Sequence, residues 1–587
     1  MADAPRPEAP AWQQALAGAL AEALPRLLEE QPQPLLQELI GALTAALCRG
    51  EVGLDLAGEA PEGVSAALWP EAHRQALLDS ALVQDPCGPL QLLGSCLGWR
   101  RWQQRRAAVL QILITRAETL TPSPVVGPGV VDPHASSSDR GDGLAGLDGA
   151  QQQAVRIALE RNLVLILGGP GTGKTRTVAR LLQELQLRQP GLRLHLAAPT
   201  GKATARLRAA SGGLVPCSTL HRLLESRGES FGRNRHHPLT LDLLVVDEVS
   251  MVDLELIEAL LEALPAPCRL VLVGDPAQLP PIAPAPLLPL LLEPEAAAAL
   301  AAVTVELRTT YRNAGAIARV AAALRQGLDS SMTTGRRSDP LPALRPLLQA
   351  LGPRDNLHWR QASSARLPAM LVRRLLEHRR RLAQLAADCW PGRDEGWQEL
   401  LAERERLLVL APLRRGRWGI DAIHRTLLAL PVEGGRAGSS PAPLPGSPIP
   451  WPHGTPLLCR RNLPELGLAN GDIGILVRRS NSPASGNSRA SSDSRILFGQ
   501  DAPLWLHPAQ LAGALEPALA LTVHKAQGSE ADGVIVLLDG RSTTDPRLLY
   551  TALTRARRQA LLITASDPPS DCPAGGAPPP EAPEAAA

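Results

Sequence analysis

Residues 163–175, reading LVLILGGPGTGKT, carry the first chemistry in the chain. An aliphatic run with strand character feeds a glycine-rich turn closing on Lys174 and Thr175, the GxxxxGK[ST] spacing of a phosphate-binding loop. Gly168, Gly169, Pro170, Gly171, Thr172 and Gly173 let successive backbone N–H groups point inward at an anion, and a helix starting near Lys174 adds the positive end of its dipole. The Lys174 ammonium suits the outer phosphates of a nucleotide, and the Thr175 hydroxyl suits the shell of a magnesium ion. Paired acids follow at the end of LDLLVVDEVSMVD, residues 241–253, and the carboxyl end of a strand is where an open α/β sheet binds ligands. Asp247 is placed to hold magnesium, directly or through water, and Glu248 to orient or deprotonate an attacking water. A further strand, CRLVLVGDPAQLPPI, delivers Gln278, which can hydrogen-bond a terminal phosphate and touch a neighbouring domain. VELRTTYR then adds Arg308 and Arg312 as charge donors. Ahead of the loop, a glutamine in LDGAQQQAV can read an adenine edge; Gln151 is the choice, with Gln152 and Gln153 left open by spacing.

These residues need sheets to hold them, and composition allows that. The 587 residues are 44% apolar and 20% charged, globular values for a length of roughly three to five domains. A net charge of +2 means that any nucleic-acid surface is a local groove and not a global basic field. Eight cysteines lie scattered without CxxC spacing, and His236 and His237 lack further ligands nearby, so neither a zinc nor a disulfide framework is expected. The start lacks a signal-peptide pattern. The apolar run at residues 287–303 is broken by Pro289, Glu293, Pro294 and Glu295, so no membrane span is expected. A soluble cytoplasmic protein follows. Of 60 basic residues only three are lysine, Lys174, Lys202 and Lys525. Each falls in a short polar motif after a strand-like run, as a site needing a compact ammonium and not a planar fork would require.

Residues 1–120 alternate Leu/Ala-rich stretches at helical spacing with Pro and Gly breaks, which predicts a helical domain, taken as the partner-contacting one. Its WRRWQQRR patch reads as a solvated face or partner surface more readily than as a nucleic-acid contact. A Pro/Gly/Ser-rich linker occupies 121–146. The first α/β core spans 147–303, with a short hairpin at about 226–240; the second takes 304–430 and 512–565. Between its parts, residues 431–511 read as a small β domain padded by a Ser-rich disordered tongue, and 566–587 as a disordered tail.

The ordered series GGPGTGKT, APTGKATARL, VVDEVSMVD, LVGDPAQLPPI, LRTTYR, LTVHKAQGSE and LYTALTRAR resembles the superfamily 1 helicases over residues 145–565. Within them it is most similar to the RecD family, the alpha subunits of exodeoxyribonuclease V. RNRHHPLTLDLLVVDE and RNLPELGLANGDIGIL look like that family's hairpin and inserted SH3-like domain. The resemblance implies an α/β fold of two tandem RecA-like P-loop cores, and an ATP-hydrolysing 5′-to-3′ translocase on single-stranded or duplex-end DNA. It also implies RecB-like and RecC-like partners in double-strand-break repair and recombination. ATP and Mg2+ would be held by the loop, Thr175 and Asp247, with Gln151 toward adenine, Gln278 toward the terminal phosphate, and Arg312 and Arg555 as arginine fingers. Thr200, His221, Thr522 and His524 would face DNA, supported by Lys202 and Lys525. With every lysine in a helicase motif, nuclease activity is expected in a partner. The alternatives are a stand-alone RecD-like helicase and a non-enzymatic assembly subunit. The intact acid pair speaks against the latter.

Overall fold

The computed structural model describes residues 11–120, 146–228, 230–281, 283–311, 315–334, 339–363, 365–392, 396–430, 451–479, 493–499, 502–540 and 544–566. Nearly all of the expected linker and tail, the Ser-rich tongue and Arg312 fall outside them.

The N-terminal region is not purely helical. Helices Ala11–Leu27 and Pro34–Cys48 pack beside strands β1 (Gly53–Asp55), β2 (Leu90–Leu93) and β3 (Cys96–Trp99), antiparallel in the order β1-β3-β2. Strands this short show no alternation against a Leu/Ala-rich background, so the pattern missed them. Helix Arg100–Glu118 leaves this sheet and buries Val109, Leu113 and Ala117 among Ile257, Leu260 and Leu270 of the following α/β unit. The arginines of the WRRWQQRR patch supply ties within the chain: Arg100 donates to the carbonyls of Gly88 and Leu90, while Arg105 pairs with Glu258 and Arg106 with Glu293.

The first α/β unit has six parallel strands: β4 (Leu163–Gly168), β5 (Leu194–Ala198), β6 (Cys217–Thr219), β7 (Leu243–Val246), β8 (Arg269–Gly274) and β9 (Thr304–Leu307), ordered β6-β5-β7-β8-β4-β9. LVLILG, LLVV and RLVLVG are buried at every residue, as strands covered on both faces must be. Because β7, β8 and β4 are neighbours, the loops leaving their carboxyl ends lie side by side.

The second parallel sheet starts with β10 (Leu357–Ala362) and β11 (Leu407–Ala411). An antiparallel sheet intervenes, made of β12 (Pro456–Cys459), β13 (Ile473–Arg479), β14 (Asp493–Phe498), β15 (Leu504–Leu506) and β16 (Leu515–Pro517), in the order β15-β14-β13-β12-β16. Its Ile475, Val477 and Leu497 pack on Leu382 and Trp397 of helices Ala369–Asp388 and Trp397–Arg404. Then β17 (Leu521–Thr522), β18 (Ala531–Leu538) and β19 (Ala556–Ala565) complete the parallel sheet β10-β19-β18-β11-β17. The segment expected to form a hairpin at 226–240 contains the isolated bridges Ser226↔Phe231 and Asn234↔His237 in place of continuous strands.

Candidate functional site

The turn after β4 has the shape its glycines imply. Gly171 and Gly173 adopt φ of +76° and +86°, conformations that cost a side-chain-bearing residue about 1–2 kcal/mol. Helix Lys174–Arg188 begins at once, its N-terminus aimed into the loop. Lys174 Nζ folds back to donate to the carbonyls of Gly168 at 2.6 Å and Gly169 at 3.0 Å. Gln151 closes the loop from below. It forms a capping box with Asp148 at the start of helix Gly149–Glu160, and its amide donates to Thr172 O at 3.2 Å. Gln152 instead donates to Leu147 O at 3.0 Å, and Gln153 is exposed. Of the three glutamines, Gln151 is the one held against the phosphate loop. Tyr311, which sequence reasoning did not assign, sits beside it: its N–H donates to Gly171 O and its hydroxyl to Asp148 Oδ2, each at 2.8 Å, with the ring half exposed.

The acids after β7 meet this loop. Thr175, Asp247, Glu248 and Arg206 line one small cavity with Ala203 and Leu207. Burial, then the adjacent Glu248 charge, pushes the Asp247 carboxyl up to about 6, opposed by Lys174 and by the Glu248 N–H that donates to Asp247 Oδ1 at 2.8 Å. Two crowded carboxylates and a hydroxyl form an all-oxygen donor set, the kind a hard divalent cation takes. Glu248 itself holds φ +55°, an uncommon conformation for a residue with a Cβ and one that recurs at functional sites. Its carbonyl accepts from Met251 N–H at 3.0 Å in the short helical turn that follows.

The loop after β8 faces the second unit. Buried Asp275 accepts from the Tyr550 hydroxyl at 2.9 Å, and Gln278 Oε1 accepts from Arg555 Nη2 at 2.8 Å. Leu279 N–H donates to Thr551 Oγ1 at 2.8 Å, and Gln527 Nε2 donates to the Leu279 carbonyl at 2.6 Å. Burial and the Asp275 charge push the Tyr550 phenol well above its ordinary range, so it stays a donor. The second unit also reaches the phosphate loop: a Cβ on Gly169 would lie 3.0 Å from both Arg325 Nη1 and the Tyr550 hydroxyl. Arg325 and Arg308 share the Glu306 carboxylate at 3.3 and 2.8 Å. Arg325 carries no motif signal, and its place emerges only when helix Ala316–Thr334 packs.

Of the residues expected to face DNA, Thr200 caps helix Gly201–Ala210 by accepting from Ala203 N–H at 3.3 Å. Lys202 Nζ donates to Ser529 Oγ at 2.8 Å. Burial there, with help from Arg404, pushes the Lys202 ammonium down to about 7 against the pull of Asp472 and Glu405. Thr522 Oγ1 accepts from Lys525 N–H, and Lys525 Nζ pairs with Glu516, which also takes Arg414 at 3.2 Å. Burial lowers the pKa values of His524 and His221, so both rings tend to neutrality; His221 lies 6.4 Å, centroid to centroid, from Phe231. Thr200 and Lys202 thus meet the loop that also carries Thr522, His524 and Lys525, whereas His221 stands apart beside the 226–240 segment. The arrangement can bind a nucleotide between two units and alter their contact as its phosphates change.

Residues 151–284 match the model of an AAA domain, and residues 517–563 that of the UvrD-like helicase C-terminal domain. The chain is 32% identical over 578 residues to the RecBCD enzyme subunit RecD of Mycolicibacterium smegmatis, covering 92% of this chain and 91% of that protein. It is 33% identical over 448 residues to the RecBCD enzyme subunit RecD of Mycobacterium tuberculosis, 70% of this chain and 68% of that one. Similarity to the ATP-dependent RecD2 DNA helicase of Deinococcus radiodurans is 32% over 423 residues, 70% of this chain and 48% of that protein.

Proposed function

The chain belongs to the RecD family of DNA helicases, and from that premise we propose that it is the 5′-to-3′ single-stranded DNA translocase of a heterotrimer with RecB-like and RecC-like subunits. It is an ATP-hydrolysing DNA helicase; polarity, partners and residue roles are the proposal. The observation that carries the motor role is the contact across the nucleotide cleft, where Arg555 holds Gln278 and Tyr550 holds Asp275 beside the phosphate loop; polarity and partners rest on the family. A site shared in this way changes the relation of two RecA-like cores whenever its phosphates change, and that motion along a strand is translocation.

In this reading Lys174 and the loop N–H groups hold the ATP phosphates, Gln151 and the exposed Tyr311 ring border the base, and Thr175 and Asp247 hold Mg2+. The cation supplies charge neutralisation at the phosphates. Glu248 orients water and takes its proton. Gln278 senses the terminal phosphate, Arg555 adds positive charge from the second core, and Arg312, outside the described residues, is the further arginine expected to do so. Thr200, Lys202, His221, Thr522, His524 and Lys525 border the strand, and the five-stranded antiparallel sheet is the SH3-like insert. Acting on chromosomal DNA ends places the complex in the cytoplasm. The match to the Mycolicibacterium smegmatis subunit, over 92% of this chain and 91% of that protein, supports the subunit reading.

The test is unwinding of duplexes bearing a 5′ or a 3′ single-stranded tail, with and without co-purifying partners. Preference for the 5′ tail, enhanced by partners, is expected. Preference for the 3′ tail would overturn the polarity, and full activity alone would favour the stand-alone alternative.

A further inference from the structure

Strands β11 and β17 run parallel with Ala411 opposite Thr522. Three residues beyond that pair, past the carboxyl ends where an open sheet binds ligands, stand Arg414 and Lys525. The antiparallel sheet brings a third cation to the same place: β12 and β16 pair with Leu458 opposite Glu516, and the Arg460 N–H donates to Ala514 O at 2.8 Å. All three cations converge on one carboxylate. Glu516 Oε1 pairs with Lys525 Nζ, and Oε2 takes Arg414 Nη1 at 3.2 Å and Arg460 Nε at 3.8 Å. The side chains of Lys525, Arg414 and Arg460 are 39%, 53% and 55% exposed and that of Glu516 12%, so the positive groups face solvent over a recessed acid. Arg414 also meets Asp421 at 3.3 Å, and the neighbouring Arg415, Arg417 and Arg461 are exposed as well.

We propose that Arg414, Arg460 and Lys525 form a backbone-phosphate site for single-stranded DNA, and that the Glu516 carboxylate competes with the phosphate for them. The inference rests on the reading above that Thr522 and His524 border the strand; the Lys525 N–H donates to Thr522 Oγ1 at 3.4 Å, so the cluster adjoins them. Three cations against Glu516 and Asp421 leave the cluster net positive, and a phosphodiester is drawn to it. Its two unesterified oxygens share one negative charge, as those of a carboxylate do, and accept the same donors. Ion pairs this exposed contribute little to stability and exchange readily. Glu516 is fixed to β16, so it stays beside any phosphate bound there and opposes it. A translocating motor must release each phosphate as it steps, and an acid that reclaims the cations keeps the grip short-lived. Phosphate contacts of this kind position the strand without reading its sequence.

The experiment measures binding of a fluorescent oligothymidylate and an oligocytidylate to the full chain by anisotropy over a range of salt, with thermal melting to report the fold. Glu516→Gln should bind both about fivefold more tightly than wild type, the upper end for an exposed charge pair. Arg414→Ala and Arg460→Ala should weaken both oligonucleotides alike, and each should lower the slope of log affinity against log salt by about 0.7, one phosphate contact on a single strand. Arg414→Lys keeps the point charge and should keep the slope. Unchanged or weaker binding by Glu516→Gln overturns the proposal, as do Ala variants that keep the wild-type slope while melting lower, for then the cations only fasten the antiparallel sheet to the second core. A wild type that binds neither oligonucleotide at low salt would instead sink the DNA reading on which the proposal rests.

Discussion

Gly169 stands where both cores reach the phosphate loop, and a side chain there would crowd them. A methyl there would meet Arg325 and the Tyr550 hydroxyl at 3.0 Å, and Tyr550, buried against Asp275, has little room to retreat. Gly169→Ala is therefore expected to lower DNA-stimulated turnover about tenfold, as a small misplacement in a closing site does, with nucleotide affinity nearly unchanged; steady-state kinetics and analogue binding check it. Equal loss of both would show a damaged loop. For Arg555, whose guanidinium bonds Gln278 Oε1 and the Thr551 carbonyl, truncation to Ala should retain nucleotide binding and cost about a hundredfold in turnover. Lys174→Gln should abolish hydrolysis, since no other lysine stands in the loop. The residues legible in the sequence follow strands and carry a local pattern: the loop, the acid pair, Gln278. Arg206, Tyr311 and Arg325 were not assigned roles, because each acts through a tertiary contact that neighbours in sequence do not signal.

At the scale of elements, β4, β7 and β8 announce themselves as aliphatic runs, whereas β6 (CST) and β10 (LHWRQA) do not, and β1 to β3 are too short to impose a period. Helix Gly201–Ala210 shows what a correct motif leaves untold. Its Lys202, one of three lysines in an arginine-rich chain, also bonds Ser529 and lies near Asp472 of the antiparallel-sheet region, joining three parts of the chain. An amine held at about 7 binds fewer protons in the folded chain than in the unfolded one up to the ordinary lysine value of about 10.4. The stability from this site is accordingly least below pH 7 and grows as pH rises through that window. The melting temperature of wild type relative to Lys202→Met should climb between pH 7 and pH 9, measured by calorimetry at constant ionic strength. Parallel pH profiles would mean that Lys202 titrates as an exposed lysine.

For the whole molecule the decisive element is helix Arg100–Glu118, which the composition groups with the N-terminal region and the packing joins to the first parallel sheet. Arg116 is buried and donates to the carbonyls of Leu264 and Cys268 at 2.8 Å and Pro265 at 2.9 Å, clasping the turn before β8. Thr119 O accepts from Asn162 N–H at 3.2 Å just before β4, the strand that carries the phosphate loop. Removing residues 1–120 would strip Val109, Leu113 and Ala117 from Ile257, Leu260 and Leu270, baring a patch on the order of a few hundred Å2, the size that drives association. A chain beginning at Thr121 is thus expected to aggregate, while one beginning at Trp99 keeps the helix and should remain soluble and bind nucleotide. Within the full chain, Arg116→Ala removes the guanidinium donor from the carbonyls of Leu264, Pro265 and Cys268, of which Pro265 keeps the Cys268 N–H, and should cost about 2–4 kcal/mol, the range for losing several charge-assisted bonds. Chemical denaturation measures that cost, and light scattering of the two truncations measures the other. If the chain from Thr121 proves monomeric and binds ATP normally, the helix is an appendage; aggregation confined to that truncation would make it a structural layer of the ATPase core.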